Sequence, residues 1–146
     1  MIASWIVKRI VRSVIEKMNE DDFDVDAVAA GFADNAIFNC TSEIGVGETI
    51  KGKQAIAEWA RKWKLEFPKR KFVVKNICFS VWPIFPTGVL MVEWSLTETS
   101  KEGKEFKYDG VAVMHVKNFK VVQESEYISF AGLPKLSTLI KPTSKA

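Results

Sequence analysis

The apolar positions change their period part-way along the chain. Ile6, Ile10, Val14 and Met18 recur every four residues, with Val7, Val11 and Ile15 beside them. That spacing predicts an amphipathic helix of about four turns with a wide apolar stripe. Lys8, Arg9, Arg12, Glu16 and Lys17 take its other side. "NEDDFD" then interrupts the pattern. Asp24 or Asp26 suits the cap of a second helix carrying Val25, Val28, Ala29 and Phe32. Gly31 lies near its end, and Asp34-Asn35 suit the turn out of it. Ala36 to Thr41 reads as a short strand, and "GVGETIKGKQ", with three glycines, reads as a loop. In "GKQAIAEWARKWKLEFP", Ile56, Trp59, Ala60, Trp63 and Phe67 share one helical face. Pro68 ends that third helix.

Beyond it the period becomes two. Phe72 to Trp82, Gly88 to Thr99, Phe106 to Val116 and Lys120 to Phe130 read as strands. "WPIFPTG", "SKEGKE" and "KNFK" are their connections, the first a Pro-broken turn. The tail "GLPKLSTLI" suits a short amphipathic turn of helix followed by a frayed end. Three helices followed by antiparallel strands predict an α+β domain with the helices on one face of the sheet.

Alternation also sorts the strand residues by face. Val92, Trp94 and Leu96 share an inward face, with Glu93, Ser95 and Thr97 opposite. Phe106, Tyr108, Gly110, Ala112 and Met114 share one face of the next strand. Lys107, Asp109, Val111, Val113, His115 and Lys117 form the other, whose charged ends and apolar middle suit an outer surface. On the last strand Glu124 and Glu126 fall with Val122, Ile128 and Phe130. Phe38 and Cys40 have the opposite parity to Asn39, and the apolar set is placed inward. A bulge would reverse these assignments beyond it.

The 146 residues predict one domain, residues 1–146, with enough chain for one substantial core. A net charge of +3 favours anionic partners only slightly and is no nucleic-acid footprint. Lys69-Arg70-Lys71, just after Pro68, reads as a solvated surface turn. Cys40 and Cys78 are far apart and show no CxxC spacing. They read as buried free thiols in a reducing compartment, with no zinc site or disulfide scaffold. Lys8, Arg9 and Arg12 break the N-terminal apolar run, so no signal-peptide core or membrane span is expected, and the cytoplasm is the expected location.

Three phrases carry a resemblance over roughly residues 5 to 133. They are "FADNAIF" after the second helix, "IKGKQAIAEWARKW" opening the third, and "GVAVMHVKNFKVVQESEY" in the closing hairpin. In these the chain resembles the SnoaL-like branch of the nuclear transport factor 2-like superfamily. The resemblance implies a cone: a curved sheet wrapped around helices, with an apolar pocket inside. It also implies pairing through the outer sheet face, as many members do. The superfamily includes polyketide cyclases, steroid isomerases, epoxide hydrolases, dehydratases and proteins without chemistry, so fold does not choose function.

Glu126 precedes Tyr127, at the place where SnoaL-like cyclases and epoxide hydrolases carry an acid–base aspartate. In an apolar cone its ionised form loses hydration, which raises the pKa towards the range useful for proton transfer. The competing reading is a solvated or paired rim glutamate. Other family groups are missing. Cys40 stands where cyclic steroid isomerases place a catalytic aspartate, and their tyrosine and second acid fall near Val14 and Ala112. Trp94 and Leu96 replace the arginine–aspartate pair of the epoxide hydrolases. A nucleophilic Cys40 has no basic neighbour in sequence to activate it. His115, the single histidine, belongs to the outer face.

The expected lining of the pocket is Met18, Phe38, Cys40, Trp59, Trp63, Trp94, Tyr108 and Met114. The expected occupant is a small hydrophobic or cyclic molecule. The alternative is a cofactor-independent lyase or isomerase, polyketide-cyclase-like, using Glu126 as acid–base. A further alternative is a dimeric protein-interaction module. No metal, organic cofactor, nucleic acid or membrane partner is expected, since no ligand cluster is present.

Overall fold

The computed structural model describes residues 2–42, 47–81 and 87–130. Most of the expected turn "WPIFPTG" (residues 82–86), the start of the expected loop "GVGETIKGKQ" (residues 45–46), residues 43–44 and the expected helical tail beyond 130 lie outside the described residues. The element order is α1 (Ile2–Lys17), α2 (Val25–Ala29), β1 (Phe32–Ser42), β2 (Gly47–Lys51), α3 (Lys53–Glu66), β3 (Lys69–Val81), β4 (Gly88–Thr99), β5 (Glu105–Lys117) and β6 (Lys120–Phe130). The α+β class follows from this order. The strands form one curved, unclosed sheet in the order β2-β1-β6-β5-β4-β3. Only the β1–β6 pair is parallel; the others are antiparallel.

Several elements differ from the sequence expectation, for non-local reasons. "GVGETIKGKQ" contributes a strand, β2, because Thr49 and Ile50 pair with Asn39 and Phe38 in a hairpin that its glycines do not prevent. Phe32 begins β1 rather than ending α2, since it pairs with Val121 of β6. Asp24 caps α2, its carboxylate accepting from the amides of Asp26 (2.9 Å) and Ala27 (3.1 Å). β3 begins at Lys69, so the basic run is strand rather than turn.

Arg70 in that run is buried at 5% exposure. Its guanidinium donates to the carbonyls of Met18 (3.2 Å), Glu20 (2.9 Å) and Phe67, and lies over the rings of Phe23 and Trp63. One side chain thus ties the exit of α1 and the exit of α3 to β3. A rigid fork with five donors suits this task better than a lysine would.

The helices cover the concave face in two blocks. Val7, Val11 and Ile15 of α1 pack on Ile77, Leu90, Val92, Trp94, Leu96 and Ala112. Ile56 and Trp59 of α3 pack on Ala36, Phe38 and Ile50. Only half of the α1 stripe is used this way: Ile6, Ile10 and Val14 remain exposed. At the hairpin ends, Asn118 and Phe119 both hold positive φ, the geometry of a tight two-residue turn whose twist matches its strands.

Trp94 lies across β4 onto Gly110 of β5, its partner in the ladder. A Cβ at Gly110 would fall inside the van der Waals envelope of the indole ring. The glycine is therefore a seat for the ring, and strand propensity yields to packing. Gly110→Ala is expected to destabilise the fold by about 1–3 kcal/mol through overpacking, measured by urea denaturation.

Candidate functional site

The strand registers align side chains into rows across the concave face. One row reads Glu48 (β2), Cys40 (β1), Glu126 (β6), Ala112 (β5) and Val92 (β4). The next reads Ile50, Phe38, Glu124, Met114 and Leu90. Glu124 and Glu126 are two residues apart on one strand, so they point the same way. The bulge on β6 falls before Gln123 and leaves their shared parity intact. Glu124 is buried, and Glu126 is half-buried.

The two carboxyls are hydrogen-bonded to each other. Burial pushes Glu126 up to about 7, while the hydrogen bond from Glu124 pulls it down. Burial also holds Glu124 well above the usual carboxylate range, helped by the Glu126 charge and by that hydrogen bond. Two such groups cannot ionise together cheaply, so the pair holds one shared proton near neutrality. Burial and then the charges of Glu126, Glu48 and Glu124 push the Cys40 thiol up to about 11. A thiolate nucleophile is thereby disfavoured.

A second polar cluster sits further along the same face. Glu98 is buried at 4% exposure and accepts from Trp63 Nε1 at 2.9 Å. It is also hydrogen-bonded to the Tyr108 hydroxyl. Burial raises the Glu98 pKa; the bonds from Trp63 and Tyr108 and the charge of Arg70 oppose the rise. Between the two clusters stands Trp94, whose buried Nε1 has no partner among the described residues. An unmet buried donor costs about 1–3 kcal/mol.

A groove of about 780 Å³ runs between α3 and β2. Glu48, Ile50, Trp59, Trp63, Glu66 and Phe67 are among its walls. Trp59 and Trp63 stack with ring planes 6° apart and centroids 6.2 Å apart. Two of its walls connect to the clusters by a neighbour only: Glu48 belongs to the row of Cys40 and Glu126, and Trp63 donates to buried Glu98.

Of the residues expected to line a pocket, Trp59 and Trp63 lie on this groove. Phe38, Cys40, Met114 and Tyr108 share the concave face with the carboxyls. Met18 does not join them: it packs against the helical cluster of Phe23, Val25, Ala29 and Ala57. Trp94 is core, at 3% exposure. Asn39 faces outward, where it meets Ser125 and Thr49. His115 is exposed on the convex face beside Val89 and Gln123. Cys78 corrects the expectation of two buried thiols, being exposed. The bulge between Val74 and Asn76 resets the parity of β3, and Cys78 then pairs with outward Met91.

Glu98, Glu48 and Arg70 were not singled out by the sequence. For Glu98 a signal existed: it continues the parity of Trp94 and Leu96. Arg70 gave none, because its partners are carbonyls from distant helices. Among the described residues no group of acidic, cysteine or histidine side chains could hold a metal ion. No described helix is long and apolar enough to cross a membrane.

A family model for the SnoaL-like domain matches residues 11–124. The chain belongs to the SnoaL-like family. Comparison with curated proteins gives no match. Among solved structures, the chain is similar to a candidate aromatic ring hydroxylase from Novosphingobium aromaticivorans, at 16% identity and a TM-score of 0.67, covering 85% of this chain and 87% of that one. It is similar to a candidate SnoaL-like polyketide cyclase from Jannaschia, at 15% identity and a TM-score of 0.64, covering 84% and 83%. An LEH-like epoxide hydrolase from M. tuberculosis aligns at 14% identity and a TM-score of 0.60, covering 80% of each chain. At such identities the likeness concerns the fold alone.

The raised pKa of Glu126 has a thermodynamic consequence. Between about pH 4.5 and 7 the folded chain keeps a proton that the unfolded chain has released. Stability from this group therefore falls as pH rises through that window. Glu126→Gln removes the effect. The variant should be more stable than the parent by on the order of 2 kcal/mol at pH 8 and equal to it near pH 4, measured by urea denaturation at both pH values.

Proposed function

We propose that this SnoaL-like protein binds a small apolar, cyclic molecule in the cone and moves a proton on it through Glu126. The reaction class is that of a cofactor-independent isomerase, cyclase or dehydratase. The observation that carries this reading is the hydrogen-bonded Glu124–Glu126 pair on the concave wall, walled by Phe38, Met114 and Ala112. Glu124 holds the shared proton and donates to Glu126, which keeps Glu126 able to accept a second. Beside a carbonyl, Glu126 takes the α-hydrogen: the C–H bond breaks, an O–H bond forms, and the electron pair moves to the carbonyl oxygen. Return of the proton to another carbon completes an isomerisation. A base with a pKa near the working pH is suited to both directions.

A second reading keeps the ligand and omits the chemistry. It is favoured by the commitment of Arg70 to three carbonyls, which takes that guanidinium away from a developing oxyanion. One experiment separates the two. The cyclic ketone 4-phenylcyclohexanone is incubated with the protein in D2O, and loss of its α-hydrogens is followed by NMR. Proton transfer by Glu126 gives exchange that rises with pH through about 7 and falls by about 10²-fold or more in Glu126→Gln. Binding without exchange supports the second reading.

We also propose a homodimer through the convex sheet face. Val73, Met91 and Tyr127 are exposed there, at 49%, 45% and 56%, beside half-buried Val111 and Val113. At the margin Lys75 is paired with Asp109 at 2.7 Å. A second copy can lay the same apolar middle on this one. Sedimentation should give about twice the chain mass of 16.5 kDa; a monomer at high concentration would overturn this.

A further inference from the structure

We propose that β2 and the groove beside it take up an extended segment of a partner protein, which joins the sheet as an antiparallel strand. The inference stands apart from the proton-transfer reading, because neither Glu124 nor Glu126 is a wall of that groove. It also leaves the convex face free for a second copy, since Val73, Met91 and Tyr127 are not among the walls either.

β2 is one edge of the sheet, and among the described residues no strand pairs with its outer side. The register shows which backbone groups that edge presents. The Gly52 amide donates to the Ala36 carbonyl at 2.8 Å. The same ladder then sets Ile50 opposite Phe38 and Glu48 opposite Cys40. In an antiparallel pair every second residue turns its amide and carbonyl to the partner strand. Gly52, Ile50 and Glu48 therefore direct theirs to β1. Thr49 and Lys51 turn theirs outward, where a further strand can meet them. The opposite edge, β3, is guarded: it carries a bulge between Val74 and Asn76 and the charges of Lys69, Lys71 and Lys75.

The groove of about 780 Å³ lies along this edge. Glu48, Thr49, Ile50 and Lys51, four consecutive residues, form one wall, so that wall is the strand edge rather than one of its faces. The other wall is α3, where Ala55, Trp59 and Trp63 recur every four residues, and Phe67 follows at the helix end. Unpaired backbone thus faces apolar rings across a gap. An extended peptide satisfies both sides at once. Its backbone completes a ladder with Thr49 and Lys51, and its alternate side chains turn to α3. Charge selects the sequence. Lys51 and Glu48 are exposed and make no ion pair among the described residues. A strand antiparallel to β2 passes Lys51 first and Glu48 last. Read from its N-terminus it should carry an acidic residue opposite Lys51, an apolar one opposite Ile50, any residue opposite Thr49 and a basic one opposite Glu48.

The test selects a random dodecapeptide display library on the whole chain. Recovered peptides are then measured by calorimetry, and amide exchange of the protein by NMR. The peptides should share the order acidic, apolar, any, basic. The amides of Thr49 and Lys51 should exchange fast in the free protein and slow by about tenfold or more when a peptide binds, while those of Glu48 and Ile50 change little. N-methylation of the peptide residue opposite Thr49, whose amide points to β2, should weaken binding by about tenfold or more; N-methylation of the residue before it, whose amide points away, should change affinity by less than about twofold. Lys51→Glu, at an exposed position, should exchange the selected acidic residue for a basic one. A library that yields no binder overturns the proposal. So do peptides that bind without slowing those two amides, or that are indifferent to which residue is methylated. An acidic preference that survives Lys51→Glu overturns the antiparallel register and the proposal with it. Amides of Thr49 and Lys51 already protected in the protein alone overturn it too, since this chain or a second copy then covers the edge.

Discussion

The parallel pairing of β1 with β6 closes a contact between the first strand and the last, and the candidate chemistry depends on it. It sets Phe38 beside Glu124 and Cys40 beside Glu126. Without β1, the last strand would be a sheet edge, and its carboxyls would keep much of their hydration. With β1 in place they are enclosed between two strands and share a proton. The raised pKa values, the suppressed thiol of Cys40 and the proposed proton transfer all follow from that enclosure. A parallel pair needs a long crossover, and about half of the chain, residues 43–119, lies between these two strands.

Enclosing acids in an apolar cone is costly, and the molecule offsets the cost in two different ways. Glu124 and Glu126 turn to each other and keep a proton. Glu98 instead collects donors, from Trp63 and Tyr108, with the charge of Arg70 nearby. Arg70 itself is saturated by backbone carbonyls at the ends of α1 and α3. Its charge is used to anchor helices, which removes the obvious anion-binding group from the interior. Fold alone does not choose a chemistry, so that choice lies in which polar side chains reach the concave wall.

Alternation made much of the site legible from the sequence. Period two on β4, β5 and β6 assigned Trp94, Tyr108, Met114, Glu124 and Glu126 to one side of the sheet and His115 to the other, and the apolar pair Phe38 and Cys40 marked the inner side of β1. Burial read from an apolar run failed at Cys78, where the bulge at Lys75 turns the side chain outward. It was also silent on Met18, whose helix turns it towards α2 and α3 rather than the sheet. β2 was missed because the three glycines of its segment outweigh its strand-forming residues, Thr49 and Ile50, in any local reading.

What the sequence determined by itself was local: the helical stripe, the strand periods, the α+β order and the face on which each strand residue stands. These follow from backbone geometry that repeats every few residues. What only the tertiary structure decided was adjacency. Which strand lies beside β6, which carbonyls meet Arg70 and which donors meet Glu98 are contacts between residues far apart in the chain. No periodic pattern encodes them, because they arise only when the sheet curves and the helices settle into its concave side.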